Sequence, residues 1–208
     1  MRRFMDQLND YPFSITLLAG GQSRRMGRDK SQLIFGGESL IARAVRRLRG
    51  LSDDVIVVTN APDQLADLDA RLIGDALPGG GALSGIHAGL LAARHEFTFV
   101  AACDMPFLNL ALVRHMAGLA PGHAVVVPRW QGEFEPLHAF YSCACLALVE
   151  RLLRQGGASI FDMYSALSAR YLEPDEITRF DPEGLSFFNV NTPEDWARAQ
   201  RIFETLQG

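Results

Sequence analysis

Two adjacent glycines followed by a run of cations are the first residues of this chain able to do chemistry. The stretch reads Leu17-Leu18-Ala19-Gly20-Gly21-Gln22-Ser23-Arg24-Arg25-Met26-Gly27-Arg28-Asp29-Lys30. At Gly20 and Gly21 no side chain stands between a ligand and the backbone N–H groups, so an anion can come close. Arg24, Arg25, Arg28 and Lys30 follow, and a polyphosphate is the ligand this order of features suits. The spacing is not that of a P-loop, because Lys30 lies three residues after Gly27, and Gly20-Gly21 does not begin a dinucleotide fingerprint. The plain alternative is a turn whose Arg and Lys side chains are solvated.

A second chemical feature is Asp104, which follows the apolar run Phe97-Thr98-Phe99-Val100-Ala101-Ala102-Cys103 and precedes Met105-Pro106. A carboxylate at the end of a buried strand is costly unless it meets a cation. Asp104 is therefore a candidate Mg²⁺ ligand; the alternative is a carboxylate capping the helix that starts near Asn109. Thr59-Asn60 follows another apolar run. It either touches a nucleotide or belongs to a turn closed by Pro62. Asn189 and Asn191 alternate on an extended segment, so both project to one side. Trp130, Glu135 and His138 could line an acceptor pocket, although His138, beside apolar residues, reads as a satisfied core group.

The elements that must position these groups follow from patterning. Phe13 to Leu18 and Val55 to Val58 are continuous apolar runs, as in strands covered on both faces. Arg71-Leu72-Ile73 and Ala169 to Leu172 are short strand candidates, the second an outlying one. Leu40, Ile41, Ala44, Val45 and Leu48 recur at helical spacing, with Arg43, Arg46, Arg47 and Arg49 expected on a solvated face. Gln64 to Ala70, Leu110 to Leu119, Ala144 to Leu153 and Ile160 to Leu167 read as helices. Ser84 is a candidate cap for a helix over Ile86, Leu90 and Ala93, whose Gly85 and Gly89 permit close packing on a sheet. Thr192, Pro193 and Asp195 form a capping-box start for a helix with Trp196, Ala199, Phe203 and Leu206 on its apolar face. Strands alternating with helices predict an α/β fold with a mostly parallel sheet covered on both faces. Ala124 to Val127 and Leu137 to Tyr141 form a small β excursion on one flank.

The 208 residues fit one domain with a substantial core, after a polar lead-in over residues 1–12. A net charge of −4 provides no general field for nucleic acid, so phosphate affinity must be local. Cys103, Cys143 and Cys145 make neither a disulfide framework nor a zinc set. With no signal peptide and no apolar run of membrane-spanning length, a cytoplasmic, reduced protein is expected.

Leu18 to Lys30 resembles the signature L-A-G-G-x-S-x-R-M-G-x-D-K of the molybdenum cofactor guanylyltransferases, within the nucleotidyltransferase superfamily. Cys103-Asp104-Met105-Pro106 matches that family's C-D-x-P, whose aspartate binds the metal. Asp75 matches an aspartate that contacts the nucleoside, though an Asx turn would also account for it. Phe188 to Asp195 resembles F-N-x-N-T-P-E-D, whose asparagines lie near metal and acceptor. Ala82 departs from the family's G-P-L-x-G-I, where proline is expected. The Ala-Gly-Gly form is similar to the guanine-using members.

That resemblance implies a three-layer αβα, Rossmann-like nucleotidyltransferase fold. It also implies transfer of GMP from GTP to the terminal phosphate of molybdopterin, with release of pyrophosphate and a requirement for Mg²⁺. Leu18, Ala19, Gly20 and Gly21 would face guanine and phosphates, with Asp75 contacting the nucleoside; Asn60 joins this nucleotide site by its place after a strand rather than by the resemblance. Lys30 and Arg24 would steady the β- and γ-phosphates, and Asp104 the metal. Partners would be GTP, molybdopterin and molybdoenzyme maturation proteins, with no nucleic acid or membrane. The alternatives are a cytidylyltransferase or sugar-phosphate nucleotidyltransferase, or a nucleotide-binding partner protein without turnover.

Overall fold

Phe13–Leu18 forms β1, and all six of its residues are buried. It is the first element in a computed structural model that describes residues 11–19, 32–156 and 159–207. A tight hairpin follows, Ile34–Phe35 (β2) and Glu38–Ser39 (β3). Gly36 and Gly37 close it at φ +62° and +90°, a two-residue turn in which glycine avoids the strain of a side chain. Ser39 Oγ accepts the Ala42 N–H and starts α1, Leu40–Leu48. The chain then alternates through Val55–Val58 (β4), Arg71–Ile73 (β5), Ala82–Ala92 (α2) and Phe97–Ala102 (β6). Asn109 Oδ1 accepts the Ala111 and Leu112 N–H groups and caps α3, Leu110–Leu119. Val125–Trp130 (β7), Glu133–Phe134 (β8) and His138–Ser142 (β9) precede Leu146–Gln155 (α4). Ala169–Leu172 (β10), Pro174–Ile177 (α5) and Pro193–Gln207 (α6) complete the described elements.

The main sheet runs β10-β7-β9-β6-β1-β4-β5, with β8 paired to β7. Pairings β1–β4, β1–β6, β4–β5 and β7–β10 are parallel, whereas β9 is antiparallel to both β6 and β7. The expected β excursion is therefore built into the sheet. The link from β7 to β9 stays at one edge without a crossover helix, which requires antiparallel pairing. Only the short arm of β8 projects from it.

Two apolar layers enclose the sheet. On one face Ile41, Ala44, Val45 and Leu48 of α1 and Leu112, Val113 and Met116 of α3 pack over Ile15, Leu17, Val57 and Phe99. On the other, Leu83, Ile86 and Leu90 of α2 and Val149 of α4 pack over Leu18, Val58, Val100 and Tyr141. This is the three-layer αβα arrangement. Helix α2 approaches closely because Gly85 and Gly89 lie against Leu18 and Thr16. A methyl group at Gly89 would sit 2.4 Å from Thr16 Cγ2. A smaller cluster of Phe35, Leu40, Val190 and Ala199 ties the hairpin to α6.

At the amino end of the sheet the fully buried Asp54 carboxylate holds four segments together. It accepts from Ser14 Oγ at 2.6 Å, the Arg94 N–H at 2.9 Å and Arg71 Nη2 at 2.7 Å. Burial pushes its pKa up, but these hydrogen bonds and the Arg71 charge outweigh burial and hold it below the usual carboxylate range.

Several local expectations change. Arg43 and Arg47 are not solvated. Arg43 lies over the Phe35 and Phe203 rings at 5.4 and 5.0 Å, and Arg47 Nη2 donates to the Leu108 carbonyl at 2.8 Å. The helix expected over residues 64–70 is a single 3₁₀ turn, Pro62–Leu65, and that over residues 160–167 is another, Ile160–Met163. Gly81 stands at the cap of α2, and Ser84 Oγ instead accepts the Gly80 N–H. Leu206 is exposed, because the apolar stripe of α6 outruns the surface available to cover it.

Candidate active site

The sheet registers put the ends of four parallel strands in one row. Leu18 pairs with Val58 and with Ala102, and Val58 pairs with Ile73. Backbone bonds carry the alignment one residue further. Ala19 N–H donates to Val58 O at 2.9 Å, Cys103 N–H to Leu18 O at 3.1 Å and Thr59 N–H to Ile73 O at 2.8 Å. The residues that follow, Asp75, Asn60, Ala19 and Asp104, therefore leave the sheet side by side. The row spans three strand spacings, about 14 Å. Open α/β sheets bind ligands at such carboxyl ends.

Leu18 has its side chain in the core and its carbonyl engaged, so it anchors the start of the glycine loop. Gly20, Gly21, Arg24 and Lys30 lie outside the described residues. Thr59 is buried, and its Oγ1 accepts the Ala61 N–H at 3.1 Å, so it serves the turn. Asn60 is exposed at the rim and Asp75 is half-buried two residues beyond β5.

Asp104 is half-buried, with its Oδ1 shielded from solvent. Its backbone carbonyl accepts the Val190 N–H at 3.0 Å, so the late segment is pinned to the turn after β6. Val190 is fully buried, while Asn189 is half-buried and Asn191 exposed. Burial alternates about Val190, with both asparagines more exposed than it. Asn189 Nδ2 donates to Phe187 O at 3.1 Å. Asp195 Oδ2 accepts the Asn191 and Thr192 N–H groups, and the Asp195 N–H returns a bond to Thr192 Oγ1. The capping box at the start of α6 is formed, and it fixes Asn191 in place. The cap of α3 belongs to Asn109, which removes the alternative role considered for Asp104.

Among the described residues no group of three or more His, Cys, Asp and Glu gathers as a metal cage. One carboxylate at a strand end is nevertheless a donor set that fits Mg²⁺, which keeps waters and shares substrate phosphates with one or two protein oxygens.

The antiparallel β9 enters the sheet at the same edge. Leu137 O accepts the Ala102 N–H at 3.2 Å, so Leu137 lies beside the end of β6, while the Glu135 N–H is bonded to Pro128 O of β7. The acceptor-pocket trio does not assemble. His138 is fully buried between Phe99 and Phe187, centroids 5.0 and 5.2 Å away. Burial pushes its pKa down to about 3, so the ring is a neutral core residue, but not the satisfied one expected: neither ring nitrogen has a hydrogen-bond partner among the described residues, because aromatic rings rather than polar groups surround it. Trp130 meets Phe187 at 5.8 Å on the same face. Glu135 belongs with Tyr164 on the other. Burial, with the Glu135 charge among lesser causes, raises the Tyr164 hydroxyl. The Glu135 carboxyl itself is pushed up to about 7 by burial first and by Glu133 second. Phe187, which bridges Trp130, His138 and Asn189, was missed; its only signal is the Phe187-Phe188 pair before the asparagines.

A doubly covered, mainly parallel sheet with acidic and amide groups lined along its carboxyl edge is the architecture of an α/β nucleotide-binding domain. The MobA-like NTP transferase family profile matches residues 15–170. The chain is 38% identical over 186 residues to the molybdenum cofactor guanylyltransferase of Desulfosudis oleivorans, covering 88% of this chain and 92% of that one. It is 37% identical over 188 residues to a probable molybdenum cofactor guanylyltransferase of Pelotomaculum thermopropionicum, covering 90% and 92%. Among solved structures, molybdopterin-guanine dinucleotide biosynthesis protein A from Archaeoglobus fulgidus superimposes with TM-score 0.82 at 30% identity, covering 92% of this chain and 99% of that one. A 2-C-methyl-D-erythritol 4-phosphate cytidylyltransferase from Thermus thermophilus superimposes with TM-score 0.70 at 17% identity over 93% and 99%, a likeness of fold alone. The chain belongs to the MobA-like NTP transferase family, and its close relatives are molybdenum cofactor guanylyltransferases.

Proposed function

We propose that the protein transfers GMP from GTP to the terminal phosphate of molybdopterin, forming the guanine dinucleotide cofactor and pyrophosphate. The observation that carries this reading is the single row that brings Ala19, Asn60, Asp75 and Asp104 to one edge and ties Asn189 to Asn191 beside Asp104. The attacking phosphate is already an anion, so the chain has no need of a side-chain base. Its task is to bring one anion onto another in line. Asn60 and Asp75 lie where a nucleoside would be held, and a carboxylate at Asp75 suits the N–H donors of guanine or the ribose hydroxyls. Asp104 would hold Mg²⁺, which when bound neutralises charge on the α-phosphate and polarises it. Asn189 and Asn191 would orient the acceptor phosphate through neutral amide donors. Lys30 and Arg24 supply charge for the departing pyrophosphate.

Among the described residues no helix is long and apolar enough to cross a membrane. The deciding experiment incubates the protein with Mg²⁺, molybdopterin and either GTP or CTP and measures pyrophosphate. Release with GTP, and little with CTP, is expected. Greater release with CTP than with GTP would move the protein to the cytidine-using side of the superfamily.

A further inference from the structure

Glu135 is a half-buried carboxyl that no hydrogen-bond donor among the described residues satisfies. Its backbone is fixed on both sides: its N–H donates to Pro128 O at 2.9 Å, and its carbonyl accepts the His138 N–H at 3.0 Å. It follows Phe134, whose ring meets Tyr171 at 5.1 Å, Tyr164 at 5.4 Å and Phe161 at 6.4 Å. Phe161 is 48% exposed and meets the Tyr164 ring at 6.1 Å, and the Tyr164 hydroxyl in turn feels the Glu135 charge, so an uncovered aromatic surface and a carboxyl that lacks a donor share Tyr164 as a neighbour. Such a pair suits a flat heterocycle carrying adjacent N–H and NH₂ groups, which together match the two oxygens of one carboxylate. The ring would lie on the aromatic surface.

The 2-amino-4-oxopyrimidine edge has this donor pattern, and both guanine and pterin carry it. Position separates them. Ala19, Asn60 and Asp75 leave β1, β4 and β5, on one side of Asp104. Glu135 hangs from β7 and β9, on the other side, with β7 lying two strand spacings from β6. That is about 10 Å across the sheet, a distance that a pterin can bridge with its phosphate at Asp104. Resting on the transferase reading above, we propose that Glu135, with Phe134 and Phe161, holds the 2-amino-4-oxo edge of the acceptor's pterin. The desolvation that raises the Glu135 pKa to about 7 is what donors from a bound ring would relieve.

The test has two arms. In the first, 6-hydroxymethylpterin and 6-hydroxymethyllumazine, which has oxygen in place of the 2-amino group, are titrated against the protein by fluorescence without GTP. Wild type should prefer the pterin by about tenfold, and Glu135→Gln should lose the preference. Phe161→Ala, at an exposed position that folding tolerates, should weaken both ligands alike. In the second arm, Glu135→Gln should raise the KM for molybdopterin by about tenfold while leaving that for GTP unchanged. The proposal is overturned if wild type binds neither probe or does not distinguish them, if Glu135→Gln keeps the preference, or if the KM for GTP rises instead. Pterin discrimination through Glu135 in a protein that releases no pyrophosphate would overturn the transferase reading and leave this site standing.

Discussion

Replacing Gly89 by alanine tests whether contact between α2 and β1 sets the geometry of the carboxyl edge. In an ordinary helix interior the change is favourable by about 1 kcal/mol. Here the new methyl would lie 2.4 Å from Thr16 Cγ2, 2.5 Å from Thr16 Oγ1 and 2.9 Å from Thr16 Cβ. Thr16 cannot withdraw. It is fully buried, its strand is paired on both sides, and its hydroxyl is bonded to Thr98 Oγ1 at 2.9 Å. Helix α2 must therefore move outward by roughly 1 Å to reach ordinary contact, and overpacking of this kind costs about 1–3 kcal/mol. With the propensity gain subtracted, Gly89→Ala should destabilise by up to about 2 kcal/mol. Urea unfolding should show a lower midpoint with an unchanged slope. Since α2 carries the 74–81 loop at its amino end, the KM for GTP should rise as well. In a Thr16→Ala background the methyl has room, so the second substitution should cost much less, a coupling that a double-mutant cycle measures. A Gly89→Ala protein more stable than wild type by the full propensity gain of about 1 kcal/mol, or costs that simply add in the double mutant, would refute the argument.

Other consequences can be checked on the same protein. Asp104→Asn keeps the shape of the turn that receives Val190 but removes the charge; turnover should fall by about 10²–10³-fold with little change in GTP binding by calorimetry, and near wild-type turnover would exclude Asp104 as the metal ligand. Lys30→Ala should raise the KM for GTP and lower kcat together, and unchanged kinetics would remove it from the phosphate set. His138 has a folded pKa of about 3, depressed from an ordinary value of 6.5, so the unfolded chain takes up a proton that the folded protein refuses. Stability is then lost as pH falls below about 6.5, by about 1.4 kcal/mol per pH unit at most. His138→Phe should flatten urea midpoints between pH 6.5 and 4, and an unaltered acid slope would show that another group is responsible.

Much of this was legible in the chain because strands covered on both faces announce themselves. Phe13 to Leu18, Val55 to Val58 and Phe97 to Ala102 are apolar at successive positions, and each ends in residues that suit a ligand edge. The capping box of α6 was legible for a similar reason, since Thr192 and Asp195 act within one turn. Strand direction was not, because the alternation in His138 to Ser142 is the same whichever way the strand runs. The fates of Arg43 and Arg47 were also hidden. A basic helix face reads as solvated, and only the tertiary fold brings the Phe203 ring and the Leu108 carbonyl to it. The supposed grouping of Trp130, Glu135 and His138 failed because neighbours in sequence at a sheet edge can fall on opposite faces.

The way the edge is assembled also explains how one sheet can present two anionic substrates to each other. The strands on the β1 side are all parallel, so each ends at the same level and supplies one contact to a ligand lying across them. Had β9 been parallel too, its end would have added only a further contact of that kind. Because it is reversed, the chain arrives at the edge from outside, and the arm of β7 and β8 with Glu135 projects beyond the row. The late segment crosses that boundary: Gly184 lies against the Trp130 ring, Phe187 touches His138, and Val190 is bonded to Asp104. In the proposed reading, nucleotide contacts and acceptor contacts therefore lie on different strands and share Asp104. A substitution on the β9 side should therefore change acceptor KM without changing GTP affinity, and one at Asp75 should do the reverse. If both classes of variant altered both constants equally, this division of the edge would be wrong, even with the fold and the chemistry unchanged.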